Sequence, residues 1–499
     1  MVAERLIGMD SGGTMTKVGL YDLDGTEIAV ESRPNEMTFP APGHTERNPE
    51  HMWQAGCEAI RHLLERTGTS PGDIIAVAPS GFGAGGFFID GDGRCSRPGI
   101  VSTDTRSRQL IDQWHAEGRL KDVEHVVGSR IFPGHTLALL AWLLIHEPHS
   151  VSATSKILWC KDFLRLRLTG EISTDPTDAS CPGMWNHTTE VWAREVMSEL
   201  GIGEWNDKLP DVAPADARAG SVTAEAASQC GLLEGTPVAR GVYDIIACSL
   251  ASGITSPDQL GVIGGTFAIC STVHDRPLLD PLVNHQSAYP IGGLYLASTA
   301  SATSGSNLEW VINTFLEAEA ERLTSRGERL YDHVNALVAD VLDQPSDMIF
   351  LPHLFNHDVA GLIGPSAGDR LSNVLRAVFE GVVCAHRFDL ETALLNGAGS
   401  ARPSRVMLAG GVSQSDVWAQ MFADGLQRPV GVANGSEFGA KAAAMCGAVA
   451  VGAKVDLTEA IDSMVTIDRR FMPDPERGKV LDIAYHRFVR LKEALAMAF

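Results

Sequence analysis

Apolar residues near the start of the chain form two short runs that are separated by a glycine-rich turn. Residues 6–9 and 16–21 have the length and composition of β-strands, and Asp10-Ser11-Gly12-Gly13-Thr14 lies between them. Glycine and small polar residues between two apolar runs are typical of a β-hairpin. The pattern therefore predicts that the chain opens with a hairpin.

Two later segments of the first half are predicted to be helical. A helix is expected from Pro49, because Asn48 is a favourable N-cap and proline suits the first helical position. The most apolar run, residues 137–145, is far shorter than the ~20 residues that span a bilayer. It predicts a buried helix, and the chain is expected to have no association with membranes.

The second half begins with the same order of elements as the first. A strand over residues 260–263, the turn Gly264-Gly265-Thr266 and a strand over residues 267–273 repeat the opening pattern. A length of 499 residues also exceeds what one hydrophobic core usually organises. The sequence therefore predicts two domains of duplicated architecture, residues 1–253 and 254–499.

A third glycine turn follows a predicted strand over residues 406–408. Gly410 and Gly411 come directly after this strand, and a helix capped at Ser413 or Ser415 is expected behind them. The sequence thus contains three glycine turns, each at the end of an apolar strand.

Charge and cysteine content narrow the class of function. Forty Lys and Arg against 62 Asp and Glu give a formal charge of −22, which disfavours nucleic acids and anionic membranes as partners. The nine cysteines are scattered, as in a reduced intracellular protein. The N-terminus shows no export signal, so a cytoplasmic protein is expected.

The opening turn carries the first candidate chemistry. Glycine amides in a tight turn can surround phosphate oxygens, because a Cβ would block their close approach. Asp10, at the strand end, could hold a hydrated magnesium ion beside those phosphates. An ordinary hairpin explains this motif equally well, and the spacing is not that of a Walker P-loop.

Asp244 is the candidate catalytic group. It ends the apolar segment 237–243 and precedes the helix-compatible residues 245–250. A carboxylate in this position can accept the proton of an attacking hydroxyl group. The alternative is that Asp244 caps the following helix, and the local sequence does not separate the two roles.

These motifs together resemble the FGGY family of carbohydrate kinases, from one end of the chain to the other. Within the family, the chain is most similar to L-xylulose (3-keto-L-gulonate) kinases. The family motifs are residues 8–14, Pro42-Gly43-His44-Thr45-Glu46, residues 168–171, Asp175, residues 178–180, residues 241–244, Gly264-Gly265-Thr266 and Gly410-Gly411; those of the subgroup are Pro133-Gly134-His135 and residues 306–310, 350–352 and 415–418.

The resemblance implies two actin-like, ribonuclease-H-type α/β domains with an ATP and sugar cleft between them. It implies Asp244 as the catalytic base and Asp10 beside the Mg²⁺ ion. It also implies that the sugar binds on the side of the first domain and the nucleotide on the side of the second. The residues implied to bind ATP are Gly12, Gly13, Thr14, Lys17, Gly265, Thr266, Gly410, Gly411 and Ser415.

One segment departs from the family pattern. Xylulose kinases have Ser-Gly-Gln-Met-His-Gly where this chain has Ser80-Gly81-Phe82-Gly83-Ala84-Gly85. Phe82, Gly83 and Ala84 are expected at the substrate, together with Asp104 and His135, which match other family positions. Structural roles for Phe82 and His135 stay open. The loss of polar groups favours an uncharged pentulose or four-carbon polyol over a carboxylated sugar.

The expected activity is transfer of the γ-phosphoryl group of Mg-ATP to a hydroxyl of a small ketose or polyol. An L-xylulose kinase is the first hypothesis, and an erythritol, erythrulose or D-xylulose kinase is the alternative within the family. A non-catalytic sugar sensor with an actin-like fold is the alternative of another class. The expected partner is a small molecule, and a homodimer is kept open as the assembly.

Overall fold

The computed structural model describes residues 4–280, 282–344, 346–355, 359–395 and 403–496. The strands are β1 (Arg5–Ser11), β2 (Met15–Asp22), β3 (Glu27–Pro34), β4 (Glu46–Arg47), β5 (Ile74–Gly81), β6 (Phe87–Ile89), β7 (Gly99–Ile100), β8 (Lys156–Leu158), β9 (Trp185–Asn186), β10 (Val191–Trp192), β11 (Arg218–Ser221), β12 (Pro237–Ala239), β13 (Gln259–Gly264), β14 (Ala268–His274), β15 (His285–Tyr289), β16 (Leu294–Ser301), β17 (Ile349–Leu351), β18 (Gly361–Ile363), β19 (Arg405–Ala409), β20 (Val430–Ala433) and β21 (Ile467–Phe471).

The α-helices are α1 (Pro49–Thr67), α2 (Arg108–Ala116), α3 (Leu120–Val127), α4 (Thr136–His146), α5 (Pro148–Ala153), α6 (Cys160–Thr169), α7 (Pro176–Ser180), α8 (Arg194–Glu199), α9 (Ala224–Cys230), α10 (Asp244–Ala251), α11 (Gly305–Phe315), α12 (Glu317–Thr324), α13 (Leu330–Ala339), α14 (Leu371–Asp389), α15 (Asp416–Leu426), α16 (Phe438–Ala450), α17 (Leu457–Met464) and α18 (Pro475–Ala496). Short 3-10 turns occur at Pro71–Asp73, Gly203–Lys208 and Gly411–Gln414, and α14 continues into a π-helical turn at Leu390–Leu395.

The chain forms two compact units. Unit 1 comprises residues 1–255, 274–297 and 434–466, and unit 2 comprises residues 256–273, 298–433 and 467–499. The chain first passes from unit 1 to unit 2 after residue 255, two residues beyond the predicted boundary at residue 253. The predicted division treats each domain as one continuous stretch, whereas two later segments of the chain fold with unit 1.

Unit 1 is built on a six-stranded sheet with the order β11-β12-β5-β1-β2-β3. Strand β1 pairs antiparallel with β2 and parallel with β5, so the predicted opening hairpin is confirmed. Leu6, Ile7 and Met9 of β1 are fully buried, although neighbouring side chains of a strand point to opposite faces. Both faces of this central strand are therefore covered.

Helix α1 shows how local sequence sets an element of unit 1. The side chain of Asn48 accepts hydrogen bonds from the backbone N–H groups of Glu50 and His51, and Pro49 is the first helical residue. Gly68 ends the helix in the left-handed conformation, with φ of 62°. The prediction of this helix and its N-cap is confirmed.

Helix α16 explains why a late segment belongs to unit 1. A Cβ built on Gly8 in β1 would lie 1.7 Å from the carbonyl oxygen of Ala440 in α16. Helix and strand can approach this closely because the contact is made by glycine and alanine. The small residues of α16 therefore fix residues 434–466 to the sheet that opens the chain.

Unit 2 contains the neighbouring strands β14-β13-β19-β20-β21. Strand β13 pairs antiparallel with β14 and parallel with β19, and β19 pairs parallel with β20. The second predicted hairpin is thus confirmed, and β13 takes the place in unit 2 that β1 takes in unit 1. The strand before Gly410 is β19, which also matches the prediction.

The apolar run 137–145 forms most of α4, in which Leu137, Leu139 and Leu140 are fully buried. This confirms the predicted buried helix. Across the described ranges, the structure has no helix with the length and apolar character needed to cross a bilayer.

Candidate active site

Hydrogen bonds from neighbouring side chains to the backbone carbonyl groups fix the turn between β1 and β2. The guanidinium group of Arg47 donates hydrogen bonds to the carbonyl oxygens of Gly12, at 3.1 Å, and Gly13. The side-chain amide of Asn35 also donates to the carbonyl of Gly12, at 3.1 Å. No described residue accepts a hydrogen bond from the amides of Gly13 or Thr14, so these donors are available to a ligand.

The fold itself does not require glycine at the tip of this turn. A Cβ on Gly12 would meet its nearest neighbour, the carbonyl of Met15, at 3.6 Å, and one on Gly13 would meet Met37 at 3.7 Å. These are ordinary contact distances, and neither glycine has the positive φ that disfavours other residues. The space that a side chain would fill is therefore suited to a group from outside the protein, such as a phosphate.

Asp10 lies at the end of β1, where α16 begins. Its Oδ2 atom is so close to Gly439 that a Cβ there would lie 2.1 Å away. Burial raises the pKa of Asp10 to about 6, against the opposing effect of Lys17. Its Oδ1 atom is buried and has no hydrogen-bond partner among the described residues.

The surroundings of Asp10 fit a hydrated magnesium ion. The described ranges contain no group of three or more His, Cys, Asp or Glu side chains that could enclose a metal. Mg²⁺ usually keeps several waters and binds one or two carboxylates together with substrate phosphates. The unpartnered oxygen of Asp10, two residues before the exposed turn, could accept a hydrogen bond from such a water.

Lys17 forms an ion pair that the sequence did not suggest. Its Nζ atom lies 2.7 Å from Oε2 of Glu437, the residue before α16, and the lysine side chain is about one-third exposed. The predicted contact of Lys17 with a phosphate stays a prediction, because it requires this pair to be shared or opened.

Asp244 is the first residue of α10, and the N-cap position belongs to Tyr243. Its Oδ1 atom accepts a hydrogen bond from the backbone N–H of Ile245 at 2.7 Å, and no described residue donates to Oδ2. Burial raises the pKa of Asp244 to about 7, and the negative charge of Asp10 adds to the rise. The group is therefore a carboxyl that can exchange a proton near neutral pH.

The segment from Phe82 to Ala84 forms an apolar wall near Asp244. Phe82 is buried, stacks against the guanidinium of Arg47 at 5.1 Å and packs on Phe87. A Cβ on Gly83 would lie 2.9 Å from the ring of Tyr243, so glycine allows that ring to approach. Ala84 is buried with φ of 59°, an unusual conformation for a residue other than glycine.

Both carboxylate oxygens of Asp104 accept hydrogen bonds from other residues of the protein. Its Oδ1 atom accepts from the backbone and side chain of Arg106, and its Oδ2 atom accepts from Arg106 and from the backbone of Thr45 at 2.6 Å. These bonds anchor the loop before β4. A contact of Asp104 with a sugar hydroxyl stays a prediction that the geometry gives no added reason to expect.

His135 is fully buried, immediately before α4. Its Nδ1 atom accepts a hydrogen bond from the backbone N–H of Phe132 at 3.4 Å, whereas Nε2 has no partner among the described residues. Most buried polar side-chain atoms have a hydrogen-bond partner, so the unpaired Nε2 atom is an exception. His135 is also the N-cap residue of α4 and packs on Phe132, so its contact with a substrate stays a prediction beside a structural role.

Hydrogen bonds to backbone carbonyl groups also fix the turn between β13 and β14 in unit 2. The backbone N–H of Gly305, at the start of α11, donates to the carbonyl of Gly265 at 2.9 Å. The hydroxyl of Ser306 donates to the carbonyl of Thr266 at 2.9 Å. The nearest neighbour of a Cβ on Gly265 would be 4.0 Å away, so the fold does not require this glycine either.

The third glycine turn packs directly on the second. Gly410 has φ of 82°, and a Cβ on it would lie 2.7 Å from the carbonyl oxygen of Gly264. Ser415, one of the two predicted caps, accepts the backbone N–H of Trp418 as the N-cap of α15 and donates to Asn335 at 2.7 Å. Unit 2 thus brings Gly265, Thr266, Gly410 and Gly411 into one region, and the nucleotide contact of Ser415 stays a prediction.

Sequence reasoning missed the residues that support the unit 1 turn. Arg47 and Asn35 lie in segments with no phosphate-binding pattern, and Glu437 lies more than 400 residues from its partner Lys17. The small-residue run of α16 was the available signal for Glu437 and Gly439, because such runs allow a helix to approach a strand closely.

Comparison with known proteins identifies the architecture. The model of the N-terminal domain of the FGGY family of carbohydrate kinases matches residues 5–251, and that of the C-terminal domain matches residues 261–451. The L-xylulose/3-keto-L-gulonate kinase of Escherichia coli K12 is 30% identical over 98% of this chain and 97% of that protein. A probable L-xylulose kinase of Haemophilus influenzae is 29% identical over 98% of both chains.

Solved structures agree with this result. The crystal structure of xylulose kinase from Rhodospirillum rubrum aligns with a TM-score of 0.86 and 25% identity, over 99% of each chain. The fold is thus the predicted two-domain α/β fold of the actin-like type. The chain belongs to the FGGY family of carbohydrate kinases and is a phosphotransferase that uses ATP.

Proposed function

We propose that the protein phosphorylates an uncharged L-pentulose such as L-xylulose, with Mg-ATP as donor and Asp244 as general base. The observation that carries the role of Asp244 is its free Oδ2 atom on a half-buried carboxyl with a pKa raised to about 7. A base with a pKa near the working pH combines sufficient deprotonation with sufficient basicity. The names of the two L-xylulose kinase relatives support the choice of substrate.

In the proposed reaction, an oxygen of the sugar attacks the γ-phosphorus of ATP and forms the new phosphate ester bond. The bond from the γ-phosphorus to the β–γ bridging oxygen breaks, and ADP leaves with the electron pair. The hydroxyl proton moves to Oδ2 of Asp244. The magnesium ion supplies charge neutralisation at the phosphates when it is bound, and Asp10 is the residue proposed to hold its hydration shell.

The glycine turns are proposed to hold the phosphates. Free amides at Gly13 and Thr14, and space beside Gly265, allow phosphate oxygens to approach the backbone closely. Gly410 and Gly411 are proposed to face the adenosine. Because these groups are fixed before the substrate arrives, they stabilise developing charge without reorganisation.

The experiment is a coupled assay of ADP formation with L-xylulose, D-xylulose, erythritol, erythrulose, glycerol and 3-keto-L-gulonate. The proposal expects the highest kcat/KM for L-xylulose and a poor value for the carboxylated 3-keto-L-gulonate. A preference for the carboxylated sugar would overturn the substrate choice and leave the kinase assignment intact. Sugar binding without any ADP formation would instead favour a sensor protein.

A further inference from the structure

Strand β15 brings polar side chains from the second half of the chain to the residue beside Asp244. The hydroxyl of Tyr243 lies 2.7 Å from Oγ of Ser287 and 3.2 Å from Nε2 of His285. Oγ of Ser287 lies 3.1 Å from the same nitrogen. The three groups form a closed hydrogen-bonded triangle within unit 1.

The triangle leaves one histidine nitrogen without a protein partner. His285 uses Nε2 for both contacts, and no described residue bonds to its Nδ1 atom. A neutral imidazole has one donor nitrogen and one acceptor nitrogen, and only one of them is used here. His285 therefore has hydrogen-bonding capacity left for a ligand.

His135 offers a second free nitrogen nearby. Its ring centroid lies 6.2 Å from that of His285. Because Nδ1 accepts the N–H of Phe132, a neutral ring carries its proton on Nε2, and this buried donor has no described partner. Leaving a buried donor unpaired is unfavourable, and a ligand hydroxyl would remove that cost.

The groups around this pair do not favour an anionic ligand. Burial lowers the pKa of His285 to about 4 and that of His135 well below its usual value, so both rings are neutral at pH 7. The carboxyl groups of Asp178 and Asp244 interact electrostatically with Tyr243. The nearby Lys161 is already bound to three carboxylates, those of Asp162, Asp175 and Asp178.

The apolar segment from Phe82 to Ala84 bears on the role of the free nitrogens of His135 and His285. The close contact between Gly83 and the ring of Tyr243 leaves no room for a polar side chain at that position. This segment therefore offers no polar side chain to a sugar. His285 lies beside this tyrosine, His135 lies next to His285, and each ring has a nitrogen without a described partner.

We propose that His135 and His285 bind hydroxyl groups of the substrate, and that Ser287 and Tyr243 position His285. Strand β15 is then a specificity element for uncharged polyhydroxylated sugars. This inference rests on the proposed function, since it assigns the sugar of that reaction to a particular set of donors and acceptors.

The test uses full-length H285F and H135F, with H146Q as the control. His146 lies at the exposed end of α4, the helix that begins after His135. Binding of L-xylulose is measured by calorimetry without ATP, and kcat and both KM values are measured by ADP formation. Each phenylalanine variant is expected to weaken L-xylulose binding at least about tenfold, with the KM for ATP unchanged. H146Q is expected to behave as wild type.

Deoxy analogues of L-xylulose separate a direct contact from a structural effect. If His285 binds one hydroxyl, H285F loses affinity for the parent sugar but not for the analogue that lacks this hydroxyl. H285Q, which keeps polar atoms in a similar volume, provides a second variant if H285F does not fold. Equal losses for every analogue would overturn the inference, as would unchanged L-xylulose affinity in both variants.

The two proposals fail in different ways. If the wild-type protein forms ADP with none of the sugars, the proposed function is wrong. If the wild type is active on L-xylulose and the histidine variants bind it normally, only the present inference is wrong.

Discussion

The two hairpin turns of the molecule have similar glycine-rich sequences but different supports. In unit 1, the carbonyls of Gly12 and Gly13 are held by the buried side chain of Arg47. In unit 2, the carbonyl of Gly265 is held by the backbone of Gly305 at the start of α11. One turn depends on a long side chain from strand β4, and the other depends on the start of a helix.

The chemistry next to the two turns differs as well. Asp10 and Asp244 interact electrostatically beside the unit 1 turn, and burial raises the pKa of each. In unit 2, the turn packs against Gly410 and Ser306. The difference supports the proposal that unit 1 supplies the proton-transfer chemistry and some of the phosphate contacts, and that the turns of unit 2 hold the rest of the nucleotide. Under this proposal, a variant of Asp244 in unit 1 should lower kcat, whereas a variant of the Gly265 turn in unit 2 should raise the KM for ATP.

The largest effect is expected for D244N. Loss of the general base should lower kcat at least ~100-fold, with little change in the affinity for ATP or sugar. Steady-state kinetics and calorimetry give these quantities. D216N is the matched control, since Asp216 in unit 1 also has a pKa raised by burial. Turnover of D244N within a few-fold of wild type would remove Asp244 from this role.

The pH dependence of kcat/KM should reflect the titration of Asp244. Only the deprotonated form of Asp244 accepts a proton, so kcat/KM should fall about tenfold per unit below pH ~7. The effect on stability has the opposite sign. A raised pKa in the folded state stabilises the protein at low pH, and this contribution is lost as the pH rises through about 7. A flat rate profile from pH 8 to pH 5 would contradict the assignment.

In unit 2, G265V should raise the KM for ATP at least about tenfold, the ratio that ~1.4 kcal/mol represents. A Cβ on residue 265 meets no protein atom closer than 4.0 Å, so we expect the added side chain to obstruct a bound phosphate more than it disturbs the fold. The KM for sugar and the melting temperature should change little. G368V is the control, because a Cβ on Gly368 meets nothing within 4 Å. Equal increases in both KM values would indicate misfolding instead.

The smallest kinetic effect is expected for R47M. The variant leaves the carbonyls of Gly12 and Gly13 with fewer donors, which costs about 2 kcal/mol and lowers the melting temperature by several degrees. The KM for ATP should rise a few-fold, because the turn is less well fixed. R33M serves as control, since Arg33 pairs with Glu31 and Glu58 outside the turn. An unchanged melting temperature would show that Arg47 does not support the turn.

Local patterns predicted the elements that local interactions determine. The hairpins, the N-cap Asn48 and the buried helix α4 follow from turn residues, capping residues and apolar runs, and all were predicted. The N-cap Ser415 was one of two predicted alternatives. The family resemblance, which spans the whole chain, correctly supplied the fold and the kinase activity.

Contacts between distant segments could not be predicted in this way. Residues 274–297 and 434–466 fold with unit 1 through close packing that only the tertiary structure shows. The same is true of the pair of Lys17 with Glu437 and of the contact between Tyr243 and His285. These partners lie in segments whose local sequence satisfies ordinary strand or helix patterns, so nothing in them marks a site.

Hydrogen–deuterium exchange tests most directly the proposal that the sugar binds to unit 1 and the nucleotide to unit 2. The full-length protein is measured alone, with L-xylulose and with ADP and magnesium. The account predicts that sugar protects residues 241–247 and 285–289 of unit 1, and that ADP protects residues 264–267 and 305–311 of unit 2. Sugar binding that leaves both unit 1 segments unprotected, or ADP binding that leaves the unit 2 segments unprotected, would contradict it.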